Sequence, residues 1–128
     1  MASVTDDPAS EYEFFETASF RKQKEDYKKK YLSLPGDIEL FKNVLRVRPD
    51  DGSTMKSDGN PAKFFLRKSR MACKSLGRGQ SGSFRVFYIQ DVVKREIHLI
   101  ALARRDEEGR INYKELHRYL DLLGSEQG

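Results

Sequence analysis

The chain has 128 residues, of which 38% are hydrophobic and 34% are charged, and these values favour one compact two-layer domain with a highly charged surface. Its single cysteine excludes an internal disulfide, and one cysteine with two histidines offers none of the usual zinc-ligand spacings. Because no basic start precedes an apolar run and no apolar stretch reaches about 18 residues, we expect a cytoplasmic protein that does not span a membrane.

The formal net charge is +4, but the charged residues are unevenly distributed along the chain. Residues 1–16 contain five acidic residues and neither Lys nor Arg. Residues 63–95 contain nine Lys or Arg and a single acid, Asp91. A modest net charge with one concentrated basic segment suits RNA or DNA better than a membrane surface.

The first half of the chain predicts a strand and a helical hairpin. Residues 12–17 have the composition of a short strand, and Ser19 is a candidate N-cap for a helix that ends near Leu32. After a Leu-Pro-Gly break, apolar residues at helical spacing predict a second helix over residues 37–47. Residues 53–61 contain mainly turn-forming residues, so no regular element is predicted there.

The second half predicts three strands and a closing helix. Residues 64–70 and 83–89 are rich in aromatic or β-branched residues, and residues 97–103 form a strand that is apolar on both faces. Asn112 is a candidate N-cap for a last helix that Gly124 ends. The predicted fold is therefore α+β, with a four-stranded, mainly antiparallel twisted sheet, an N-terminal helical hairpin and a C-terminal helix.

These elements predict a single domain over residues 12–124. Residues 1–11 are polar and are expected to form a flexible N-terminal tail, and residues 125–128 a short C-terminal tail. Within the domain, the two-residue period of a strand places Lys68 and Arg70 on one face. The same alternation in the next strand separates Arg85, Phe87 and Ile89 from Phe84, Val86 and Tyr88.

Two motifs in the central strands resemble a known family. Lys68-Ser69-Arg70 and the run from Gly77 to Tyr88 are similar to the K-x-R and G-x-G-K-S-G-G-x-R-v-i-Y signature of RelE/ParE superfamily toxins. The order of elements over about residues 12–123 is similar as well, and the HigB/RelE-type mRNA interferases of type II toxin–antitoxin pairs are the nearest branch. The chain departs from the signature at Gln80 and Ser83, and at Ala103, where many members have a tyrosine.

The resemblance implies a metal-independent endoribonuclease that cleaves mRNA, expected to act on the ribosome, and so inhibits translation. It implies a RelE-like fold, no small-molecule cofactor, and a cognate antitoxin protein, mRNA and the ribosome as partners. The residues that would act in catalysis are Lys68, Arg70, Arg85, Arg104, Arg105 and Tyr113. The residues that would contact RNA elsewhere are Lys63, Arg67, Lys74, Arg78 and Tyr88.

Metal-free RNA cleavage requires a base for the ribose 2′-OH, stabilisation of the phosphoryl oxygens and a proton for the leaving 5′-oxygen. Arg70 and Arg85 are the candidate phosphate clamps, because a guanidinium donates two hydrogen bonds and stays charged. Lys68 is the candidate base or proton shuttle, since neighbouring cations lower a lysine pKa. By resemblance, Arg104 or Arg105 would approach the phosphate, and Tyr113 would stack on a base or transfer a proton.

Four alternatives remain open from the sequence. The strand arginines could form salt bridges with helix acids, and Tyr88 could be a core residue. The chain could be a ParE-like inhibitor of DNA gyrase, although that branch generally lacks the full basic cluster. It could also be a relative that binds nucleic acid without cleaving it.

Overall fold

A computed structural model describes residues 12–76 and 83–127 of the protein. The predicted N-terminal tail and the glycine-rich connection over residues 77–82, including Arg78, lie outside the described residues. No helix among the described residues is both long enough and apolar enough to cross a membrane. The strands are β1 (Glu13–Glu16), β2 (Ser53–Ser57), β3 (Phe64–Met71), β4 (Phe84–Asp91) and β5 (Glu96–Arg104). The helices are α1 (Ala18–Lys28), α2 (Leu34–Val47) and α3 (Tyr113–Gln127), with 3₁₀ turns at Lys74–Leu76 and Arg105–Arg110.

The described residues form an α+β fold around one five-stranded sheet of order β1-β5-β4-β3-β2. The α+β class is confirmed, but the four-stranded prediction is wrong because β2 pairs with the edge of β3. β2 is short, polar and exposed, so it lacks the alternating hydrophobic pattern that identifies a half-buried strand. β1 runs parallel to β5, and the other neighbouring strands are antiparallel.

The sheet is covered on both faces, which corrects the two-layer expectation to three layers. The predicted alternation of β4 is confirmed, and every residue of this strand is buried. One face packs against α1 and α2 through a core that includes Phe84, Val86 and Tyr88. The other face packs against α3 through a core that includes Phe87 and Ile89.

The helix boundaries differ from the prediction where capping chemistry differs. Thr17 is the N-cap of α1, because its Oγ1 accepts a hydrogen bond from the Phe20 amide at 3.1 Å. Ser19, the predicted cap, lies within the helix. The Asn112 prediction is confirmed for α3, since its Oδ1 accepts from the Glu115 amide at 3.2 Å. The helix continues through Gly124 to Gln127, so it includes residues that were predicted as a tail.

Side chains of α1 complete the hydrogen bonding of β5 beyond the end of β1. β1 pairs only with residues 96–99, which leaves the last part of β5 without a neighbouring strand on that side. There, Gln23 Oε1 accepts from the Leu102 amide at 2.8 Å and the Tyr27 hydroxyl accepts from the Arg104 amide at 3.2 Å. α1 therefore holds the end of β5, and with it the 3₁₀ turn that follows, in a defined position.

Candidate phosphate-binding site

Arg70 and Arg85 occupy directly opposed positions in the antiparallel pairing of β3 and β4. Directly opposed residues project from the same face of a sheet, and here that face is the one covered by α3. Lys68 lies two residues before Arg70 and therefore shares the face. The three cations line one cleft of about 270 Å³, together with Ser53, Ser69 and Glu108. The predicted convergence of these cations is thus present in the structure.

The neighbour of Arg85 on β5 is a small residue. Ala103 of β5 is the cross-strand neighbour of Arg85 on the other side, and it is buried. This position is one at which the chain departs from the family signature. Arg85 is opposite Arg70 on β3 and Ala103 on β5, and its Nη1 donates to Ser83 Oγ at 2.9 Å. Its side chain is only 11% exposed.

Glu108 is the acidic member of the cleft, and the sequence interpretation missed it. Its Oε2 accepts hydrogen bonds from Lys68 Nζ at 2.9 Å and from the Tyr113 hydroxyl at 2.8 Å. Its Oε1 lies 3.8 Å from Arg85 Nε. Two predicted cations and the predicted tyrosine therefore meet at one carboxylate. The alternative interpretation, in which the strand arginines form salt bridges, therefore applies in part to Arg85.

The 3₁₀ turn after β5 directs two consecutive glutamates to opposite sides of the sheet. Glu107 Oε1 accepts from the Tyr27 hydroxyl of α1 at 2.7 Å, whereas Glu108 reaches the cleft. In the sequence both residues belong to a charged segment that resembles a solvent-exposed loop. The only sequence signal for Glu108 is its position shortly after β5. That position points to the cleft only when the strand order is known, because the sequence alone does not show that β5 lies next to β4.

The pKa values in the cleft reflect its mixture of burial and charge. Burial raises the pKa of Glu108, but the hydrogen bonds from Lys68 and Tyr113 and the charges of Lys68 and Arg85 outweigh it, so the pKa is lowered. Burial and the hydrogen bond to Glu108 raise the pKa of Tyr113 to about 12. Burial and the charge of Arg70 lower the pKa of Arg85 from its usual value. Glu108 is therefore ionised and Tyr113 protonated at neutral pH.

The cleft has an excess of positive charge. Of the described residues that line it, Lys68, Arg70 and Arg85 are cationic and only Glu108 is anionic, which leaves a formal charge of +2 (three minus one). Arg70 is exposed and has no hydrogen-bond or ion-pair partner among the described residues. A phosphodiester would supply acceptor oxygens to this guanidinium and reduce its repulsion with Arg85.

The two arginines at the end of β5 lie on different sides. Arg104 turns towards the helical hairpin, where it donates to the Tyr31 hydroxyl, and it also donates to Asp106 of the following 3₁₀ turn at 2.5 and 2.8 Å. The structure therefore does not bring Arg104 into the cleft. Arg105 is exposed, and its charge contributes to the lowered pKa of Arg85. Tyr113 stands beside the cleft, with its ring packed edge-on against Phe87 at 5.9 Å.

The predicted RNA contacts outside the cleft are dispersed. Lys63 and Lys74 are exposed at opposite ends of β3. Arg67 lies on the other face, where it donates to Gln90 Oε1 at 2.9 Å, to the Gly52 carbonyl and to Thr54.

The structure corrects the prediction that Tyr88 contacts RNA. Its side chain is fully buried, and its hydroxyl donates to the Pro49 carbonyl at 2.9 Å and accepts from the Gly52 amide at 3.0 Å. Both partners lie in the turn that joins α2 to β2. The tyrosine therefore fixes that turn, which agrees with its alternative interpretation as a core residue.

The side chains of His98 and Cys73 lie outside the cleft and contact neighbouring residues of the fold. His98 Nε2 lies 3.1 Å from Glu96 Oε1, and its ring stacks on Phe15. Burial raises the pKa of Cys73, whose Sγ lies 3.6 Å from Ser33 Oγ. Within residues 12–76 and 83–127, no three His, Cys, Asp or Glu residues are grouped so that they could hold a metal ion.

No protein-family model matches this chain, and no curated protein matches its sequence. The resemblance to RelE/ParE toxins thus depends on the quoted motifs and on the order of elements. What the site offers chemically is independent of it: two opposed arginines, one lysine, one ionised carboxylate and one tyrosine hydroxyl around a single cleft.

Proposed function

We propose that the protein is a RelE/HigB-type toxin, a metal-independent endoribonuclease that cleaves mRNA and thereby inhibits translation. The observation that supports this most is the direct opposition of Arg70 and Arg85 beside Lys68 in a cleft with excess positive charge. Arg70 can donate two hydrogen bonds to the non-bridging oxygens of one phosphodiester, and Arg85 adds a second positive charge and the donors that its contacts with Ser83 and Glu108 leave available. The proposal includes mRNA, the ribosome and a cognate antitoxin as partners.

In the proposed reaction, Arg70 and Arg85 hold the scissile phosphate and stabilise the charge that develops on it. The ribose 2′-oxygen forms a bond to phosphorus while the bond from phosphorus to the 5′-oxygen breaks. The products are a 2′,3′-cyclic phosphate and a 5′-hydroxyl end. Proton transfer then requires one acceptor and one donor near the phosphate.

Glu108 is the proton acceptor in this proposal, which revises the role predicted for Lys68. The ammonium group of Lys68 already donates to Glu108, so it is placed to act as a proton donor instead. When Lys68 turns towards a bound phosphate, Glu108 loses a hydrogen bond that lowers its pKa and becomes a stronger base. The 2′-OH proton moves to Glu108, and Lys68 protonates the leaving 5′-oxygen.

A second candidate function is RNA binding without cleavage, and the Lys68–Glu108 pair favours it. The 2.9 Å contact partly neutralises a cation that a catalytic site would use. The two functions differ in one observable, since a binding protein leaves the RNA intact.

The decisive experiment incubates purified protein with end-labelled RNA, either alone in EDTA or with programmed ribosomes in a buffer that contains Mg²⁺. We expect fragments with 2′,3′-cyclic phosphate ends, and a loss of cleavage of about a hundredfold or more in the double variant Arg70→Ala/Arg85→Ala. The matched control is Arg21→Ala/Arg118→Ala, which removes two exposed arginines from helix surfaces. Intact RNA under all conditions, with binding that the double variant loses, would instead establish the non-catalytic function.

A test in cells separates translation from replication as the process that is inhibited. Expression of the protein should stop incorporation of labelled amino acids before incorporation of thymidine. The reverse order would support gyrase inhibition. Co-expression of the adjacent reading frame should restore growth if that frame encodes the antitoxin.

A further inference from the structure

A second cavity lies at the edge of β3, between this strand and α2. It has a volume of about 320 Å³. Its apolar walls come from Leu40, Phe41 and Val44 of α2 and from Met71 of β3, and the rest of its lining is formed by Asp37, Asp51, Arg70, Ala72 and Lys74. We call this cavity the edge groove. Leu40 is 53% exposed and Val44 is 45% exposed, so the apolar wall is accessible to a ligand.

The edge groove exists because β2 covers only part of β3. The pairing of the two strands ends at Ser53 and Lys68, so the last three residues of β3 are paired with β4 on one side and have no strand on the other. The chain turns away at Gly52, where a Cβ would approach the Lys68 carbonyl oxygen to 2.9 Å. Because the backbone at Gly52 lies this close to β3, β2 covers β3 only as far as Lys68, which is a residue of the candidate phosphate-binding cleft.

Arg70 lines both cavities. It contributes to the cleft on the α3 side of the sheet and to the edge groove on the α2 side. Ser69, immediately before it, lines the cleft and donates to Asp51 Oδ2 at 2.8 Å. A chain bound in the cleft can therefore pass Arg70 and continue into the edge groove without leaving the protein surface.

The charges around the edge groove suit a polyanion with apolar substituents. Its two carboxylates are engaged within the protein: Asp37 Oδ2 accepts from Ser33 and from the Lys74 amide, and Asp51 is paired with Ser69 and Arg48. The side chains of Arg70 and Lys74 are both exposed. Cations at the rim and aliphatic walls inside are complementary to a nucleotide, whose phosphate is charged and whose base has an apolar face.

We propose that the edge groove binds the base of a nucleotide that lies one position beyond the two nucleotides flanking the phosphate held in the cleft. The ligand is single-stranded RNA longer than a dinucleotide, with Arg70 contacting the backbone where it passes from one cavity to the other. This inference rests on the proposed function, because it requires RNA in the cleft. It adds a binding site that determines the minimum length of the substrate.

The test measures dissociation constants for a dinucleotide and a hexanucleotide, both with 2′-O-methyl groups to prevent cleavage. The variant Val44→Glu places a negative charge in the edge groove, and Val47→Glu places the same charge at an exposed position of α2 outside it. We expect Val44→Glu to weaken hexanucleotide binding about tenfold and to leave dinucleotide binding unchanged. Val47→Glu should change neither.

A second pair of variants controls for misfolding of the first pair. Leu40→Gln alters the groove, and Leu122→Gln alters an equally exposed leucine of α3. If both Val44→Glu and Leu40→Gln bind the hexanucleotide as the wild type does, the inference is overturned. That result would also be found if the groove binds a protein partner instead of RNA. Arg70→Ala/Arg85→Ala should weaken binding of both ligands. If it weakens neither, the proposed function fails, irrespective of the groove.

Discussion

Arg70 and Arg85 face each other across β3 and β4 as a directly opposed pair of like charges. Such pairs destabilise a sheet, and natural strands usually place opposite charges or apolar residues at these positions. The nearest compensating carboxylate, Glu108, lies 3.8 Å from Arg85 Nε and forms its shorter contact with Lys68. The folded chain thus retains an unfavourable interaction at the position where an anion would relieve it.

Replacing Arg70 with alanine should therefore stabilise the fold while impairing RNA cleavage. Removal of the repulsion is expected to raise the free energy of unfolding by about 0.5 kcal/mol. Urea denaturation measures the change, and Arg118→Ala, which removes an exposed arginine of α3, serves as the control. A destabilised Arg70→Ala variant would mean that the guanidinium has a structural role.

Tyr113→Phe tests the hydrogen bond that helps to keep Glu108 ionised. Without the hydroxyl donor the pKa of Glu108 should rise, so the acidic limb of the pH–rate profile should move to higher pH. A carboxyl whose folded-state pKa is lowered stabilises the protein above its unfolded pKa, and this contribution disappears as the pH falls through the folded pKa.

The stability difference between wild type and Tyr113→Phe should accordingly be about 1 kcal/mol at neutral pH and should shrink in acid, below about pH 4. Urea titrations at several pH values provide the measurement. Tyr119→Phe removes a hydroxyl from the same helix that has no hydrogen-bond partner among the described residues. An acidic limb that Tyr113→Phe leaves in place would contradict the proposed role of Glu108.

Glu108→Gln separates catalysis from binding. The substitution removes the proposed proton acceptor and raises the formal charge of the cleft by one. We expect the cleavage rate at saturating RNA to fall about a hundredfold or more while RNA binding becomes tighter. Single-turnover kinetics and binding to an uncleavable RNA give the two quantities, with Asp121→Asn as a surface control. An unchanged cleavage rate would exclude Glu108 as the base.

Tyr88→Phe tests the corrected assignment of this residue. The buried hydroxyl both donates and accepts a hydrogen bond, so its removal leaves the Gly52 amide and the Pro49 carbonyl without that partner. We expect a loss of about 1.5 kcal/mol in the free energy of unfolding and no change in RNA affinity under conditions in which the variant is folded. Weaker RNA binding by folded Tyr88→Phe would restore the original prediction.

The sequence by itself determined the local features. The two-residue alternation predicted which face of its strand each of Lys68, Arg70 and Arg85 occupies. The helical hairpin was predicted from the spacing of apolar residues, and the Asn112 cap from capping chemistry. These predictions succeed because each depends on neighbours within a few residues. The α+β class follows from the same local patterns.

Only the tertiary structure decided which groups meet. Contacts between residues distant in the sequence produce the fifth strand and the second helical layer. They also bury Tyr88 and place Glu108 beside Lys68. Strand order and register set these contacts, and the 3₁₀ turn directs Glu107 and Glu108 to opposite sides. The chemistry of the cleft therefore depends on long-range pairing, which the local hydrophobic pattern of a single strand does not encode.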